Sequence, residues 1–332
     1  MSFLLSCAGR RAKLIQQLKN SANGNCKIIA TDLCHTAPAL YFADSFYIVP
    51  EIVSKDYIGS LLEICEKEHI KVITTLYDPE IEILAKNRKH FEDKGILMLI
   101  PSIETALLCH DKYAMFQFLR KNNIDTIDTY LTLEEINYAL KNNLINFPII
   151  IKPRFGSGGI GIIRCDNKID LDFHFSHPIN SQKSTETSKI CVTIAQKIMH
   201  GDDISVDVYV DCFSGKVISL FAKKKLESKI GGANKVVSFY DPKLTDFIIN
   251  LNDFFQFKGP IDIDLFFQDG KYFVTEINPR FGGGYIYAHA LGIDFMKFIL
   301  KNANAQTNTF DSYYYQTDIE MMLWDDLCFA SL

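Results

Sequence analysis

The sequence predicts an α/β fold over residues 1 to about 110, a doubly wound parallel sheet, followed by a region built from hairpins and helices. Two observations predict it. In the first part, short apolar runs alternate with helical patterns of about 10–15 residues, the signature of a parallel sheet with crossover helices. After residue 147 the apolar runs instead come in pairs joined by glycine-bearing turns, which is how antiparallel strands are connected.

Taken in order, residues 2–8 form an apolar strand ending in Gly9-Arg10-Arg11, with a helical pattern through Lys19. Strands follow at 27–32, 46–49, 72–76 and 96–100, with helices at 58–68 and 79–87 between them. In such sheets ligands sit beyond the carboxyl ends of the strands. Arg10, Arg11, Asp32, Asp78 and Glu80 stand there, serving either as caps and surface charge or as ligands for a substrate. An arginine pair suits a carboxylate or phosphate; Asp78 and Glu80 suit an amine. No Gly-x-Gly-x-x-Gly follows the first strand, which argues against a dinucleotide fold. Residues 111–142 read as helical, with Asp111 as N-cap. Lys112 lies in the first turn, where the helix dipole disfavours a cation unless something else holds it.

The 332 residues carry 48% apolar and 23% charged side chains, ordinary for a globular protein. A net charge of −5 offers no electrostatic case for nucleic acid or an anionic membrane. No apolar run reaches the ~18 residues of a membrane span. The nine cysteines include no CxxC pair, and several sit inside apolar runs, as expected of thiols in a reducing cytoplasm.

The chemistry concentrates in three stretches. Residues 147–152 form a strand carrying Lys152, then a loop with Gly156, Ser157, Gly158, Gly159 and Gly161, then a strand at 162–165. Such a loop is either a flexible turn or a cradle whose amides fold over phosphate oxygens, with the lysine adding charge. It is no Walker A loop, since neither Gly-Lys-Ser/Thr nor a helix follows. His174 and His177 lack the third ligand that a catalytic zinc site needs. The polar stretch 168–189 reads as a connection. Strands at 191–198 and 204–212 flank a turn where Ile198 and Met199 could bracket a flat base and Asp203 could accept from ribose hydroxyls. After a strand at 217–222, Lys223, Lys224 and Lys225 read either as a solvated edge or as a phosphoryl-neutralising set. A helix at 242–255 comes next.

Residues 259–284, GPIDIDLFFQDGKYFVTEINPRFGGG, read as a hairpin around Asp269-Gly270. Asp262 and Asp264 share one strand face; Glu276 and Asn278 share a face of its partner. Asp264 and Glu276 fall roughly opposite each other, where two carboxylates repel unless solvated or bridged by a cation. Carboxylates plus an amide oxygen suit magnesium held jointly with a phosphate. Arg280 and three glycines follow. A last helix at 294–301 precedes an aromatic tail with enough apolar character to pack back on the body and to support a homodimer.

The ordered set of Lys112, Lys152-Pro-Arg-Phe-Gly-Ser-Gly-Gly and Glu276-Ile-Asn-Pro-Arg280 resembles the ATP-grasp superfamily, in particular stand-alone proteins similar to the carbamoyl phosphate synthase large subunit. The resemblance implies a Rossmann-like pre-ATP-grasp domain at 1–110 and a two-lobed α+β ATP-grasp fold. The lobes would span 111–197 and 198–305, with a segment at 306–332 packing back. It implies that Lys112, Lys152 and the loop Gly156–Gly159 hold the phosphates of ATP. Gln196, Lys197, Ile198 and Met199 would meet adenine and Asp203 the ribose, although glutamates are more usual at positions 197 and 203. Asp264, Glu276 and Asn278 would hold Mg2+ or Mn2+, and Arg280 with Lys223 or Lys225 would stabilise the transferring phosphoryl group. The activity implied is an ADP-forming carboxylate–amine ligase using an acyl phosphate. Carboxyphosphate chemistry like that of the synthase, or a non-catalytic nucleotide-binding protein, are the alternatives.

Overall fold

A computed structural model describes residues 1–156, 158–177, 192–229, 232–310 and 314–329. Ser157, the start of the 191–198 strand and Gly231 therefore lie outside the described residues. The first sheet comprises β1 (Ser2–Ser6), β2 (Lys27–Asp32), β3 (Ser45–Ile48), β4 (Ile70–Thr75) and β5 (Leu97–Met98). Its order is β3-β2-β1-β4-β5 with every described pair parallel, so the strand order reverses between β1 and β4. That reversal opens the ligand crevice of a doubly wound sheet above Cys7–Arg11 and Asp78.

The helical expectation for 111–142 is corrected. Helix Lys112–Lys121 stops at Asn122, and Asn123 takes a φ of 58° that turns the chain out of the helix. β6 (Thr129–Tyr130) and a second helix, Leu133–Lys141, follow. β7 (Ile149–Pro153), β8 (Ile163–Cys165) and β9 (Thr193–Lys197) join β6 in an antiparallel sheet of order β6-β9-β7-β8. The stretch expected as a polar connection instead begins with helix Lys168–Ser176, whose N-cap Asn167 accepts from the Asp170 amide. The remainder of that stretch, from 178 on, lies outside the described residues. This lobe has its own small core around Ile136, Ile149, Ile151 and Ala195.

The largest sheet comprises β10 (Asp202–Val210), β11 (Val217–Lys229), β12 (Gly232–Phe239), β13 (Gly259–Gln268), β14 (Lys271–Asn278) and β15 (Glu320–Met322), in the order β14-β13-β10-β11-β12-β15. One face is a core: Ile204, Val206, Val208, Ile261, Ile263 and Leu265 pack on Leu244, Ile248 and Leu251 of helix Pro242–Asn252, with Met115 and Leu119 of the Lys112–Lys121 helix. The other face is polar around Asp207, Lys223 and Asp262 and apolar beyond, where Tyr209, Phe221 and Val236 pack into a second cluster. The tail adds β15 to the sheet edge and places Tyr315 so that its hydroxyl donates to the Phe239 carbonyl at 2.8 Å. Beyond it Trp324, Leu327 and Phe329 stay exposed.

A single apolar cluster joins the first domain to this sheet's lobe. Leu14, Ile15 and Leu18 of helix Ala12–Ala22 pack with Tyr285, Phe295 and Met296. Gln17 Nε2 donates to the Ile286 carbonyl at 3.0 Å, and Ser21 bonds His289 at 2.8 Å. Because this packing is apolar and continuous, the loop ahead of that helix is held at a fixed place over the polar face. Among the described residues no helix is long and apolar enough to cross a membrane.

Candidate functional site

The polar face is assembled by strand periodicity and one irregularity. Alternation places Asp203, Ser205 and Asp207 of β10 opposite the core side, and Lys223 and Lys225 of β11 beside them. An unbroken hairpin around Asp269-Gly270 would set Asp264 against Thr275. Instead the register shifts between Asp264 and Leu265: Leu265 pairs with Val274, whereas Asp264 pairs with Glu276 and Asp262 with Asn278. The extra residue, Thr275, forms a β-bulge that lets Val274 enter the core while Glu276 and Asn278 face the acids of β13. The expected opposition of Asp264 and Glu276 is present, and the bulge creates it.

Both acids meet cations. Lys225 Nζ lies 2.6 Å from Asp264 and 2.9 Å from Asp203. Burial opposes the charge on Lys225, but those two carboxylates outweigh it and hold its pKa above the ordinary value. Lys112 donates to the Gly156 carbonyl and stands 3.6 Å from Glu276. Its cap, Asp111, accepts from the Tyr113 and Ala114 amides and takes a two-pronged bond from Arg154 at 2.7 and 2.6 Å. Arg154 thus ties the glycine-rich loop to the helix that carries Lys112. Its role was missed in the sequence, where nothing marks a guanidinium as the partner of a residue 43 positions away.

Lys152 faces the same acids from the other lobe. Burial, then the nearby Lys112, lowers its pKa to about 8, with Glu276 and Asp264 opposing the fall. Lys112, Lys152, Gly156, Gly159 and Glu276 line one small cleft between the lobes. An anionic ligand there prefers the protonated amine. Nucleotide affinity is therefore expected to fall as pH rises above 8, by up to about tenfold per unit. Lys152→Arg, which stays protonated, should flatten the profile. Titration of ADP affinity between pH 7 and 9.5 measures this, and identical slopes for both proteins would remove Lys152 from the site.

Lys223 departs from expectation. β11 runs on through Lys229, so the lysines lie inside a strand rather than at its end. Neighbouring strands supply their countercharges. Lys224 turns to the opposite side and pairs with Asp202 at 2.7 Å. Lys223 is fully buried, 2.5 Å from Asp207, which faces Asp262 across the β10–β13 ladder. Burial raises Asp207 to about 6 despite Lys223, with Asp262 adding to the rise. Ser205 donates to Asp262 at 2.8 Å. Gly282 and Gly284 close over this cluster: a Cβ at 282 would lie 2.6 Å from Asp262 Cγ, and one at 284 would lie 2.4 Å from Lys223 Cε. The glycines admit the chain's own side chains, so Lys223 lies in the buried wall of the larger space beside that cleft, with its ammonium on Asp207.

Arg280 is buried, donates to the Phe281 carbonyl at 2.9 Å and pairs with Asp78 at 2.5 Å. Burial would lower its pKa, but Asp78 overrides this and holds the guanidinium charged. Asp78, expected to receive an amine, therefore spans the domains and anchors Arg280. Glu80 is a second correction. It is fully buried beneath the crevice and accepts from the hydroxyls of Ser6, Tyr57 and Thr75, so it faces inward and holds the ends of β1 and β4 together. Burial raises its pKa. Arg10 is exposed and does not line the cavity. Arg11 does: with Gly158, Gly159, Lys225, Asp264, Asn278, Arg280 and Gly283 it borders a space of ≈ 310 Å³ where the three lobes meet. Burial and then Arg280 lower its pKa to about 10.

At the hinge, Gln196 is buried and its amide donates to Thr129 Oγ1 at 2.7 Å, so the side chain serves the small sheet and leaves only backbone for a ligand. Lys197 lies over the Phe273 ring, Ile198 is half-buried and Met199 is buried. A Cβ at Gly201 would lie 2.0 Å from the Phe267 carbonyl oxygen, which explains the glycine at this turn.

Among the described residues no three His, Cys, Asp or Glu side chains form a metal-holding group. The expected set is two carboxylates and an amide, all hard oxygen donors on adjacent strands. Asp264 already carries a cationic group, the Lys225 ammonium. The set fits magnesium shared with phosphate and water.

Comparison with known proteins accords with this geometry. Residues 3–99 match the PylC-like N-terminal domain and residues 109–284 the ATP-grasp domain. The chain is 21% identical over 265 residues to the arginine-specific carbamoyl phosphate synthase large chain of Bacillus subtilis, covering 78% of this chain and 24% of that one. It is 25% identical over 272 residues to an L-arginine-specific L-amino acid ligase of Bacillus subtilis, covering 77% and 62%. The chain thus spans about a quarter of the synthase and under two thirds of the ligase. In fold it is similar to the biotin carboxylase domain dimer of 2-oxoglutarate carboxylase from Hydrogenobacter thermophilus, solved with MgADP and bicarbonate. The TM-score is 0.72 at 16% identity, over 96% of this chain and 73% of that one. The family uses ATP and magnesium, and its members act on small molecules. This chain belongs to the ATP-grasp family.

Proposed function

We propose that this protein is an ATP-dependent carboxylate–amine ligase, joining small molecules through an acyl phosphate and releasing ADP and phosphate. One observation carries the reading: Lys112 and Lys152 line a cleft that meets, at Glu276 and Gly159, the larger space bordered by Arg11, Lys225, Arg280, Asp264 and Asn278. The ligase relative supports it. Lys112 and Lys152 hold the phosphates of ATP under the loop around Gly156, Gly158 and Gly159. Backbone groups of residues 196–199 meet adenine and Asp203 the ribose. Asp264, Glu276 and Asn278 would hold magnesium or manganese, which would supply charge neutralisation for the phosphates of ATP.

A carboxylate is a poor electrophile, so its oxygen first takes the γ-phosphoryl group, a step that needs positioning and charge stabilisation more than covalent help. Arg280, held by Asp78, and Lys225 stabilise the phosphoryl group in transit. The amine nitrogen then attacks the acyl carbon, and the C–O bond to phosphate breaks. Arg11 holds an anionic group on a substrate. The loop keeps water out, since water would hydrolyse the acyl phosphate. Free thiols at the eight described cysteines support a cytoplasmic setting, and the exposed tail aromatics support a homodimer.

Thermal stability with ATP or ADP, each with and without magnesium, tests the site first. Nucleotide at 100 times its dissociation constant stabilises by about 2.7 kcal/mol. A magnesium-dependent shift is expected, followed by ADP release when carboxylates and amines are supplied together. Release that depends on bicarbonate instead would point to carboxyphosphate chemistry. No shift at millimolar nucleotide would defeat the nucleotide reading.

A further inference from the structure

We infer that Lys225 is a resident cation of the metal-binding acids and sets the order of loading, so that a divalent metal binds only with or after the nucleotide. The inference rests on the nucleotide-site reading above. Its observations are the two short contacts of Lys225, 2.6 Å to Asp264 and 2.9 Å to Asp203, together with Lys112 at 3.6 Å from Glu276. Each carboxylate of the expected metal set thus has an ammonium of this chain against it. Lys225 is only 16% exposed and its partners 38% and 19%, so solvent screens these pairs less than surface ones.

A dication arriving alone must displace an ammonium from Asp264 or sit within a few ångströms of it, and like charges at that range repel strongly where the dielectric is low. Displaced from Asp264, the lysine keeps only half of its present countercharge, Asp203, and among the described residues its neighbour on this face, Lys223, is already on Asp207. The phosphates of a nucleotide change this. They offer Lys225 and Lys112 charge-assisted acceptors, free Asp264 and Glu276, and add oxygens to the metal's shell. Lys225 then has two positions, on the carboxylates before loading and on the phosphoryl group after it. In this role it is a positioning residue for the metal as well as a phosphate ligand.

Manganese is the probe, followed through the loss of its free-ion paramagnetic resonance signal, which does not depend on turnover. Wild-type protein with Mn2+ alone is expected to leave the signal unchanged at submillimolar metal. With ADP added, it should take up Mn2+ beyond what ADP alone chelates. Lys225→Met, and the polar variant Lys225→Gln, should take up Mn2+ without nucleotide, at least about tenfold more tightly than wild type. Uptake of Mn2+ alone by wild type as tight as by either variant overturns the inference while leaving the nucleotide site standing. Failure of a folded variant to gain metal also overturns it. Absence of ADP-dependent uptake in wild type defeats the site reading itself, and this inference with it.

Discussion

Glu276→Gln is expected to abolish turnover while leaving the fold intact. The change keeps the shape and one oxygen but removes the charge that faces Asp264 across β13 and β14. The loss lands where charge develops during phosphoryl transfer, and removing a preorganised electrostatic contact of this kind costs about 10²–10³ in rate. The fold should survive because the Glu276 side chain is 26% exposed and its ion pair with Lys112 is 3.6 Å long. Partly solvated pairs of that length contribute little to stability. The measurement is ADP release beside the melting midpoint. A variant that melts normally and turns over like wild type would sink the metal assignment. One that fails by melting early would show that Glu276 is structural.

Lys223→Met is expected to do the reverse, destabilising the protein whatever its activity. Lys223 is the cation of a buried cluster in which Asp207 and Asp262 face each other beneath Gly282 and Gly284. Without it two enclosed carboxylates have lost their short-range countercharge, and removing one partner of a buried pair costs about 3–5 kcal/mol. Asp207→Asn in the same chain should recover much of that loss, because the uncompensated charge goes with it. Denaturant titration of the single and double variants measures the coupling. Additive losses would show that the pair does not act as a unit. The cost should also ease at low pH. Asp207 titrates near 6 in the folded protein against about 3.8 unfolded, and a carboxyl raised in the fold favours folding when protonated. Its stabilising contribution is fully present below about 3.8 and is lost as pH rises through 6.

Much of this was legible along the chain because local chemistry announces it. Strand–helix alternation marks the parallel sheet, Asp269-Gly270 marks the hairpin turn, with φ of 52° and 76° at those residues, and Asp111 caps its helix as its position suggests. Lys112, Lys152 and Glu276 line one cleft, and Asp264, Glu276, Asn278 and Arg280 border the space beside it. Residue type alone does not show where a polar group finds a partner inside the fold. Glu80, Gln196 and Asp78 look like ligand groups in sequence, yet they hold Ser6, Tyr57 and Thr75, then Thr129, then Arg280.

By itself, then, the sequence determined most of the elements and the residue types of the candidate site, since helix caps, turn dipeptides and strand alternation act within a few residues. Tertiary structure decided which side chains face the ligand space. The bulge at Thr275 depends on pairing between strands, and it alone puts Val274 in the core and Glu276 opposite Asp264. The division between Lys223 and Lys225 depends on which acids β10 and β13 bring beneath them. The choice of Arg11 over Arg10 depends on apolar packing of the Ala12–Ala22 helix against Tyr285 and Phe295. These contacts form between strands or between lobes, where burial and countercharge act only once those elements have paired.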